Sequence, residues 1–465
     1  MGLKEQRKAS SAEAPSSRLM RQALRPMSLP RAKFTFLSHR AVEMTASFLV
    51  IGGFAVWAVK PVGNNYLTLA AYVLVFVGAM LMGLKNGFWL DYRVKLCFSI
   101  ALVVGCVGTA IGVGRGNVGA LSEGVFFVLV PAVWVVLVAA IDLRILKAVI
   151  SIFPFVMLAI GLVGVTYWLL ASAQQPVAIW FYYLDLGLAL GGQENGATIS
   201  YHSISSLAFL LPFLLVSLML PSTYSSRVSR FVAWPAVALG LCILLLSGRR
   251  GLMLALVISV GIAVAVIVTS RASSSIRRRA FVVLGAAIVA GTLSFPVFKV
   301  SPAKVVESLV LSEFSPDSPR GESVFLLLDE WRHAPVFGNG LGAEIAGFLR
   351  DADRPWAFEV QYFLVLNAVG IFGALCLAGI TIWVLLASFR AFRRFPDRNS
   401  LVLAALTGTG ALLIANATNP YLHTLGNFWM FFFLVATVNA LLRIESAGDD
   451  AKPMNMGAGP RPLGA

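Results

Sequence analysis

Two adjacent arginines, Arg249 and Arg250, lie between two long apolar runs, within the sequence Ser247-Gly248-Arg249-Arg250-Gly251. An arginine at the edge of a membrane is costly and usually faces a cavity or a partner. Its planar guanidinium binds two phosphate oxygens at once, which suits it to an anionic ligand. We therefore expect one or both arginines to bind an anion at the membrane surface. The alternative is that both side chains extend to lipid headgroups.

A second group of polar residues lies in the largest hydrophilic segment after the N-terminal region, residues 298–357. Here Arg320 precedes a stretch whose helical spacing predicts a helix over residues 323–333, with Arg332 near its end. Pro335 ends this helix, and the glycines at 338, 340 and 342 predict a tight turn. A segment of this length needs a function or is disordered, and its apolar residues favour an ordered, partly helical loop.

Glu359 and Gln361 open the tenth apolar run, at the expected boundary between membrane and water. A carboxylate at a helix N-terminus is favoured by the helix dipole, which is the ordinary interpretation. The functional interpretation is a general base, or a carboxylate that orients an acceptor hydroxyl. His202 follows Tyr201 at the start of the sixth run, where it is either an interfacial residue or a ligand or acid.

The composition indicates a membrane protein. The chain has 465 residues, of which 58% are hydrophobic and only 13% charged, and its mean hydropathy is +0.82. Soluble domains carry about 25% charged residues. The apolar runs are continuous and do not alternate, which favours membrane-spanning helices over a β-barrel.

Twelve apolar runs predict an all-α polytopic membrane protein with about twelve transmembrane helices. They cover residues 41–59, 66–84, 95–113, 121–141, 147–170, 203–220, 231–247, 251–269, 280–297, 358–387, 400–417 and 425–442. The resulting organisation is a disordered basic arm (1–40), spans one to nine (41–297), a large outer loop (298–357), spans ten to twelve (358–443) and a disordered tail (444–465).

Lysine and arginine set the expected orientation, because short cytoplasmic loops carry an excess of these residues. If the basic arm is cytoplasmic, 15 basic residues fall in five short inner connections, and only Lys60, Arg115 and the pair Arg249–Arg250 in the short outer ones. We therefore expect a bacterial inner-membrane protein with both termini in the cytoplasm. The arm is expected to contact anionic lipids, and nucleic acid is not an expected partner.

The remaining polar residues predict no metal site. The four cysteines, Cys97, Cys106, Cys242 and Cys376, lie in or beside apolar runs without metal-ligand spacing, and the acidic residues are scattered. No cofactor is expected. The polar residues near Pro420-Tyr421 are Asn416, Asn419, His423 and Asn427. We interpret them as residues that stabilise a turn, beside an interfacial aromatic residue.

The order of these motifs resembles the Wzy-type polysaccharide polymerase and O-antigen ligase superfamily. The matching stretches are Ser247-Gly248-Arg249 at the end of a span, Arg320 to Trp331, Pro335 to Gly342, and Glu359 to Gly373. They cover the middle and later parts of the chain, and the first third is similar only in hydropathy. Each motif is short, and their order and spacing together make the resemblance specific.

The resemblance implies a metal-independent, GT-C-like membrane glycosyltransferase that acts on undecaprenyl-diphosphate-linked oligosaccharide as donor and acceptor. By that resemblance Arg249 and Arg320 hold the diphosphate, and Glu359 completes the catalytic set. Substrate-binding roles are then expected for Arg250, Arg332, Gln361, His202 and Tyr201. A chain-length regulator and a flippase are the expected protein partners, in addition to membrane lipids.

One departure from the family pattern favours the polymerase branch. The ligase branch usually has His-Asn where this sequence has Glu359-Val360. We therefore expect a polymerase of exopolysaccharide or O-antigen repeats at the periplasmic face. Two alternatives stay open, a ligase-like glycan transferase and a lipid-linked sugar flippase or transporter. The latter favours two similar halves and polar residues at mid-membrane, whereas the polar residues here cluster at the outer edge.

Overall fold

A computed structural model describes residues 39–61, 65–179, 187–193, 196–220, 223–224, 226–270, 272–297, 319–345, 348, 354–394 and 400–450. Thirteen helices cover most of these residues. They are α1 (His39–Val59), α2 (Asn65–Asn86), α3 (Tyr92–Arg115), α4 (Ala120–Ala140, with a π-helical turn at Val125–Leu129), α5 (Leu143–Ser172), α6 (Ile204–Met219), α7 (Arg227–Leu246), α8 (Arg250–Thr269), α9 (Ser274–Val297), α10 (Pro319–Arg332), α11 (Gln361–Arg394), α12 (Ser400–Ala415) and α13 (Phe428–Asp450).

The prediction of an all-α, polytopic membrane fold is confirmed at this coarse level. Within the described residues, nine helices are long and apolar enough to cross a membrane, namely α1 to α5, α7, α8, α11 and α13. Predicted runs also coincide with α6, α9 and α12. Because α6 and α12 have 16 residues each, they reach only about 24 Å. The count of twelve spans therefore stays a prediction.

The short helix α6 lies at the centre of the bundle. All 16 of its residues are buried, and it packs against α5, α7, α8, α9 and α12. A helix that is apolar on every side is expected to be surrounded by protein. Next to it, α5 and α13 share a buried cluster of aromatic rings with α1, α4 and α6, comprising Phe54, Trp57, Trp134, Phe153, Phe209, Phe213, Trp429 and Phe433.

The connections between helices meet at two opposite ends of the bundle. At one end, here called the basic end, the Lys85 ammonium lies 2.5 Å from Glu43, and Arg394 lies 3.5 Å from Glu445. At the other, here called the hairpin end, the Tyr72 hydroxyl donates to the Leu425 carbonyl at 2.7 Å. The predicted inner connections that contain Lys85 and Arg394 thus lie at the basic end, and the predicted outer connection before α13 lies at the hairpin end.

A two-stranded antiparallel sheet at the hairpin end departs from the all-α prediction. Strands β1 (Ala189–Gln193) and β2 (Gly196–Ser200) pair with Ala189 opposite Ser200. Each strand has five residues and includes glycine, so neither has the alternating apolar pattern by which strands are recognised. The hairpin lies between the predicted spans 147–170 and 203–220, where no strand was predicted.

Helix α11 is interrupted at Gly370, although its apolar run predicted a continuous span. Gly370 has φ +66° and ψ −176°, which is a conformation essentially restricted to glycine. The interruption is paired with the segment that follows α10: Ile371 N–H donates to the Pro335 carbonyl at 2.9 Å, and Gly340 N–H to the Ala368 carbonyl at 2.9 Å. The polar backbone groups at the break are thereby satisfied inside the protein, as an apolar environment requires.

The glycine turn predicted at 338–342 does form, and it also contacts α3. All three glycines have positive φ, and the Leu341 N–H donates to the Gly108 carbonyl at 3.0 Å. Gly108 lies seven residues before the end of α3, so the turn reaches about 10 Å below that helix end. A Cβ at Gly340 would lie 2.4 Å from the Gly112 amide nitrogen. Glycine is required here for close backbone packing.

Several predicted boundaries shift in the structure. Helix α10 begins at Pro319, before the predicted start at 323, so Arg320 lies in its first turn. Helix α13 continues to Asp450, past the predicted end of the last span at 443. The predicted arm up to residue 38, the first part of the outer loop (298–318), the aromatic stretch 180–186 and the tail beyond 450 lie outside the described residues.

Replacing Gly370 by alanine should destabilise the protein by about 1–3 kcal/mol from backbone strain alone. The added Cβ would also lie 2.3 Å from the Val336 carbonyl oxygen. Thermal unfolding of purified protein in detergent measures the effect. Gly379→Ala on the same helix is the control, because a Cβ there meets no atom within 4 Å. That variant should equal the wild type or exceed it by up to about 1 kcal/mol. If both variants unfolded at the same temperature, the interruption of α11 at Gly370 would be contradicted.

Candidate functional site

The turn between α7 and α8 positions Arg249. Ser247 is the last residue before the turn, and its hydroxyl accepts a hydrogen bond from the Arg249 N–H at 3.3 Å. Gly248 has φ +61° and packs against Thr198 of β2, where a Cβ would lie 3.2 Å from the threonine methyl carbon. The Ser-Gly-Arg motif therefore forms a capped tight turn that places Arg249 at the start of α8.

Arg320 and Glu359 form an ion pair between α10 and the segment that precedes α11. The Arg320 Nε donates to the Glu359 Oε2 at 2.5 Å, and both side chains are 23% exposed. Phe358 and Val360 on either side of Glu359 are buried with Leu327 of α10 in a small apolar cluster. Because the residues on either side of it enter the cluster, the Glu359 side chain points away from the cluster and towards Arg320.

Tyr421 brings the two arginines together. Its hydroxyl accepts a hydrogen bond from the Arg249 Nη1 at 3.3 Å. Burial raises the pKa of the Tyr421 hydroxyl, and the charges of Arg249 and Arg320 lower it by a smaller amount. The phenol therefore stays protonated at neutral pH and can donate to an anion. Arg249 thus contacts the Tyr421 hydroxyl, and Arg320, paired with Glu359, lies near enough for its charge to act on the same group.

The charges at this point do not balance. Arg320 is paired with Glu359, but among the described residues Arg249 has no carboxylate partner and contacts the neutral Tyr421. Arg250, the first residue of α8, is also half-buried. A half-buried arginine without a counter-ion favours an anionic ligand. The group therefore offers guanidinium and phenol donors to an anion at the hairpin end. We call Arg249, Arg320, Glu359 and Tyr421 the anion site.

The other predicted residues have separate surroundings. Arg332 lies at the end of α10, where its exposed side chain is 3.4 Å from Asp329. The Tyr201 hydroxyl donates to the Ile160 carbonyl at 3.1 Å, which ties β2 and α6 to α5. His202 packs against Gly187. Gln361 is buried at the start of α11. The structure thus brings Arg249, Arg320 and Glu359 to one region, with Arg250 adjacent and Gln361 two residues from Glu359.

An apolar groove of about 500 Å³ opens beside the anion site and is bounded by α3, α4, α11 and α13. Gln361, Tyr362 and Asn416 line its polar end, and the rest of its lining is almost entirely apolar. Along α11 it extends from Gln361 to Val384, roughly 30 Å. Its polar end is two residues from Glu359. We call this feature the apolar groove.

Two residues, Tyr421 and Glu123, were not predicted from the sequence as functional. Tyr421 was interpreted only as an interfacial aromatic, although Asn427 and Asn416 do bond the backbone of its turn as that interpretation predicts. Glu123 was not singled out, yet it is a carboxylate inside the fourth apolar run that contacts His423. An ionisable residue within a span is by default a functional candidate, so this signal was present in the sequence.

No protein-family model matches the chain, and no curated protein matches it. Among the described residues, no group of three or more His, Cys, Asp and Glu side chains could hold a metal ion. Function is therefore inferred from the arrangement of the side chains and from the order of the sequence motifs.

The anion site should bind inorganic pyrophosphate. A ligand that binds only the folded state raises the unfolding temperature, so a titration in detergent gives an apparent affinity. Arg249→Ala and Arg320→Ala should each weaken binding about ten- to a hundredfold, since a hydrogen bond to a charged group contributes about 1.5–3 kcal/mol. Arg332→Ala is the matched control and should bind as the wild type does. Equal affinity for all four proteins would exclude the site.

Proposed function

We propose that the protein is a membrane glycosyltransferase that joins undecaprenyl-diphosphate-linked oligosaccharide repeats into exopolysaccharide or O-antigen. The observation that carries the proposal is that Arg249 contacts Tyr421, with the Arg320–Glu359 pair nearby, beside the end of the apolar groove. A lipid-linked diphosphate has two parts, an anion and a long apolar chain. The anion site and the apolar groove are suited to one part each.

The chemistry requires little beyond positioning and charge. The growing glycan leaves its polyprenyl diphosphate and is transferred to a hydroxyl of the incoming repeat. Diphosphate is a stable leaving group, so donors placed where its negative charge develops accelerate the reaction. Arg249 and Arg320 supply such donors, and Tyr421 adds a neutral one. In this account no metal ion is required.

The ion pair with Arg320 favours a positioning role for Glu359. Its Oε2 is already bonded to the Arg320 Nε at 2.5 Å. In this role Glu359 holds the Arg320 guanidinium at the anion site. The short distance makes Glu359 less available as the base that was considered for it from sequence.

The proposed reaction takes place at the periplasmic face of a bacterial inner membrane. The supporting argument is the distribution of basic residues, which favours a cytoplasmic location for the basic end and for both termini. The repeats are then delivered by a flippase, and a chain-length regulator is a further expected partner. A ligase that attaches finished glycan to an acceptor shares the same donor chemistry. It is distinguished by which product, polymer or attached glycan, a deletion strain loses.

The transporter alternative has one structural feature in its favour, the interruption of α11 at Gly370. Transporters use broken helices to bind substrates and ions with free backbone groups. Here the backbone groups around Gly370 are bonded to residues 335–340. The break therefore stabilises a loop and leaves no set of free carbonyls for an ion. Elongation of repeats by purified protein, without any ion gradient, would exclude transport as the primary activity.

Alanine variants of the anion site test the proposal in cells. Arg249→Ala and Arg320→Ala should each lower the polymerisation rate about 10²–10³-fold, as expected for loss of one preformed donor to developing charge. Glu359→Ala should also shorten the polymer, because Arg320 loses its positioning partner. Polymer length on gels is the measurement. Arg332→Ala, with a similar change of charge on an exposed arginine, should give polymer of normal length. Normal polymer from all three site variants would rule out the assignment.

A further inference from the structure

A second cavity opens at the hairpin end, on the other side of the turn that carries Tyr421, and its lining is partly polar. Its volume is about 520 Å³, within the range of about 300–1,000 Å³ that holds small molecules. The polar and aromatic residues that line it are Thr68, Ser122, Glu123, Arg354, Trp356 and His423. We call it the acid–imidazole cavity. Tyr421 and His423 belong to the same 3₁₀ turn, so the anion site and this cavity are direct neighbours.

A buried carboxylate and imidazole form the floor of this cavity. The Glu123 Oε1 accepts a hydrogen bond from the Trp356 Nε1 at 2.9 Å, and Oε2 bonds to the His423 Nε2. The exposed fractions of the Glu123 and His423 side chains are 6% and 9%. Burying such a pair is costly, and apolar residues of similar size are often equally or more stable. The pair is therefore weakly explained by stability alone.

The rest of the lining suits a sugar. Trp356 and Phe126 provide flat apolar surfaces, while Thr68 and Ser122 provide hydroxyls. Next to the cavity, Gln361 lines a small pocket together with Glu123 and Trp356. The Gln361 residue is 95% buried. Its side-chain oxygen nevertheless has no hydrogen-bond partner. The small pocket measures about 10 Å³, room for one water-sized group that could donate to this oxygen.

We propose that the acid–imidazole cavity binds the acceptor sugar and that His423 is the general base of the transfer. The inference rests on the proposed function. Because Nε2 donates to Glu123, Nδ1 is the ring nitrogen that remains to accept a proton. The acceptor hydroxyl attacks the anomeric carbon of the donor, and its proton passes to Nδ1. The new glycosidic C–O bond forms as the bond from that carbon to the diphosphate oxygen breaks, and the electron pair leaves with the diphosphate.

The residues around His423 support its role as the general base. Glu123 would stabilise the imidazolium that forms, as a carboxylate does behind a catalytic histidine. Phe126 packs on the imidazole at 5.3 Å between centroids. Within the part of the chain that the structure describes, the charged groups that line the cavity are Glu123 from α4 and Arg354 from the segment before α11. Glu123 and Trp356 act through His423 and are positioning residues.

The experiment measures elongation of lipid-linked repeats by the full-length protein in proteoliposomes, from pH 5 to pH 9. His423→Gln should lower the rate about 10²–10⁴-fold, the usual contribution of a general base. It should also change the pH–rate profile, because the group that accepts the proton is removed. Pyrophosphate binding by His423→Gln should equal that of the wild type, since the anion site is intact. His333→Gln, an exposed histidine on the protein surface, is the matched control.

Glu123→Gln is the second variant, because it keeps an acceptor for the Trp356 N–H and tests the cavity even if His423→Gln fails to fold. It should lower the rate and alter the pH profile while leaving pyrophosphate binding unchanged. A folded variant at either position that elongates at the wild-type rate with the wild-type pH profile would overturn the inference and leave the proposed function in place. A wild-type protein that does not elongate repeats would overturn both.

Discussion

The backbone pairing between the break in α11 and residues 335–341 is the constraint on which the candidate site depends. A helix that breaks inside an apolar bundle exposes peptide groups that must find partners. Here Gly370 interrupts the helix, and the segment after α10 supplies partners for the exposed peptide groups through hydrogen bonds to residues 367–372. The same segment docks on α3 at Gly108. Helix α10, and with it Arg320, is thereby fixed against the start of α11.

Electrostatics at the hairpin end follow from that geometry. Once α10 is docked, Arg320 meets Glu359, and one positive charge is neutralised. Arg249 comes from a distant part of the chain, at the capped turn between α7 and α8, and its guanidinium donates to the phenol of Tyr421. The excess positive charge lies beside the apolar groove. On the other side of the Tyr421 turn, Glu123 and His423 neutralise one another when the histidine is protonated. Two neighbouring polar sites of different character result.

Much of the helical framework could be predicted from the sequence, because long apolar runs report local hydropathy directly. The capped turn at Ser247-Gly248-Arg249 and the glycine turn at 338–342 were also predictable, since their residues are local signals of turns. The break at Gly370 was not, because a single glycine in an apolar run is compatible with a continuous span. The hairpin of β1 and β2 left no alternating pattern.

The contacts that complete the site could not be derived from spacing. Arg249 and Tyr421 are 172 positions apart, and Glu123 and His423 are 300 apart. Such pairs depend on how α4, α8 and the α12–α13 connection pack, which hydropathy does not specify. The gathering of Arg249, Arg320 and Glu359 was expected from the resemblance in motif order. Their convergence on Tyr421, and the pairing of Glu359 with Arg320, required the structure.

The most direct test of the central claim is a structure of the protein in a lipid nanodisc with undecaprenyl diphosphate bound. The account predicts diphosphate oxygens within hydrogen-bonding distance of Arg249 and Arg320, with the polyprenyl chain in the apolar groove between α3, α4, α11 and α13. A diphosphate bound at the basic end, beside Lys85 and Arg144, or a polyprenyl chain outside that groove, would contradict it.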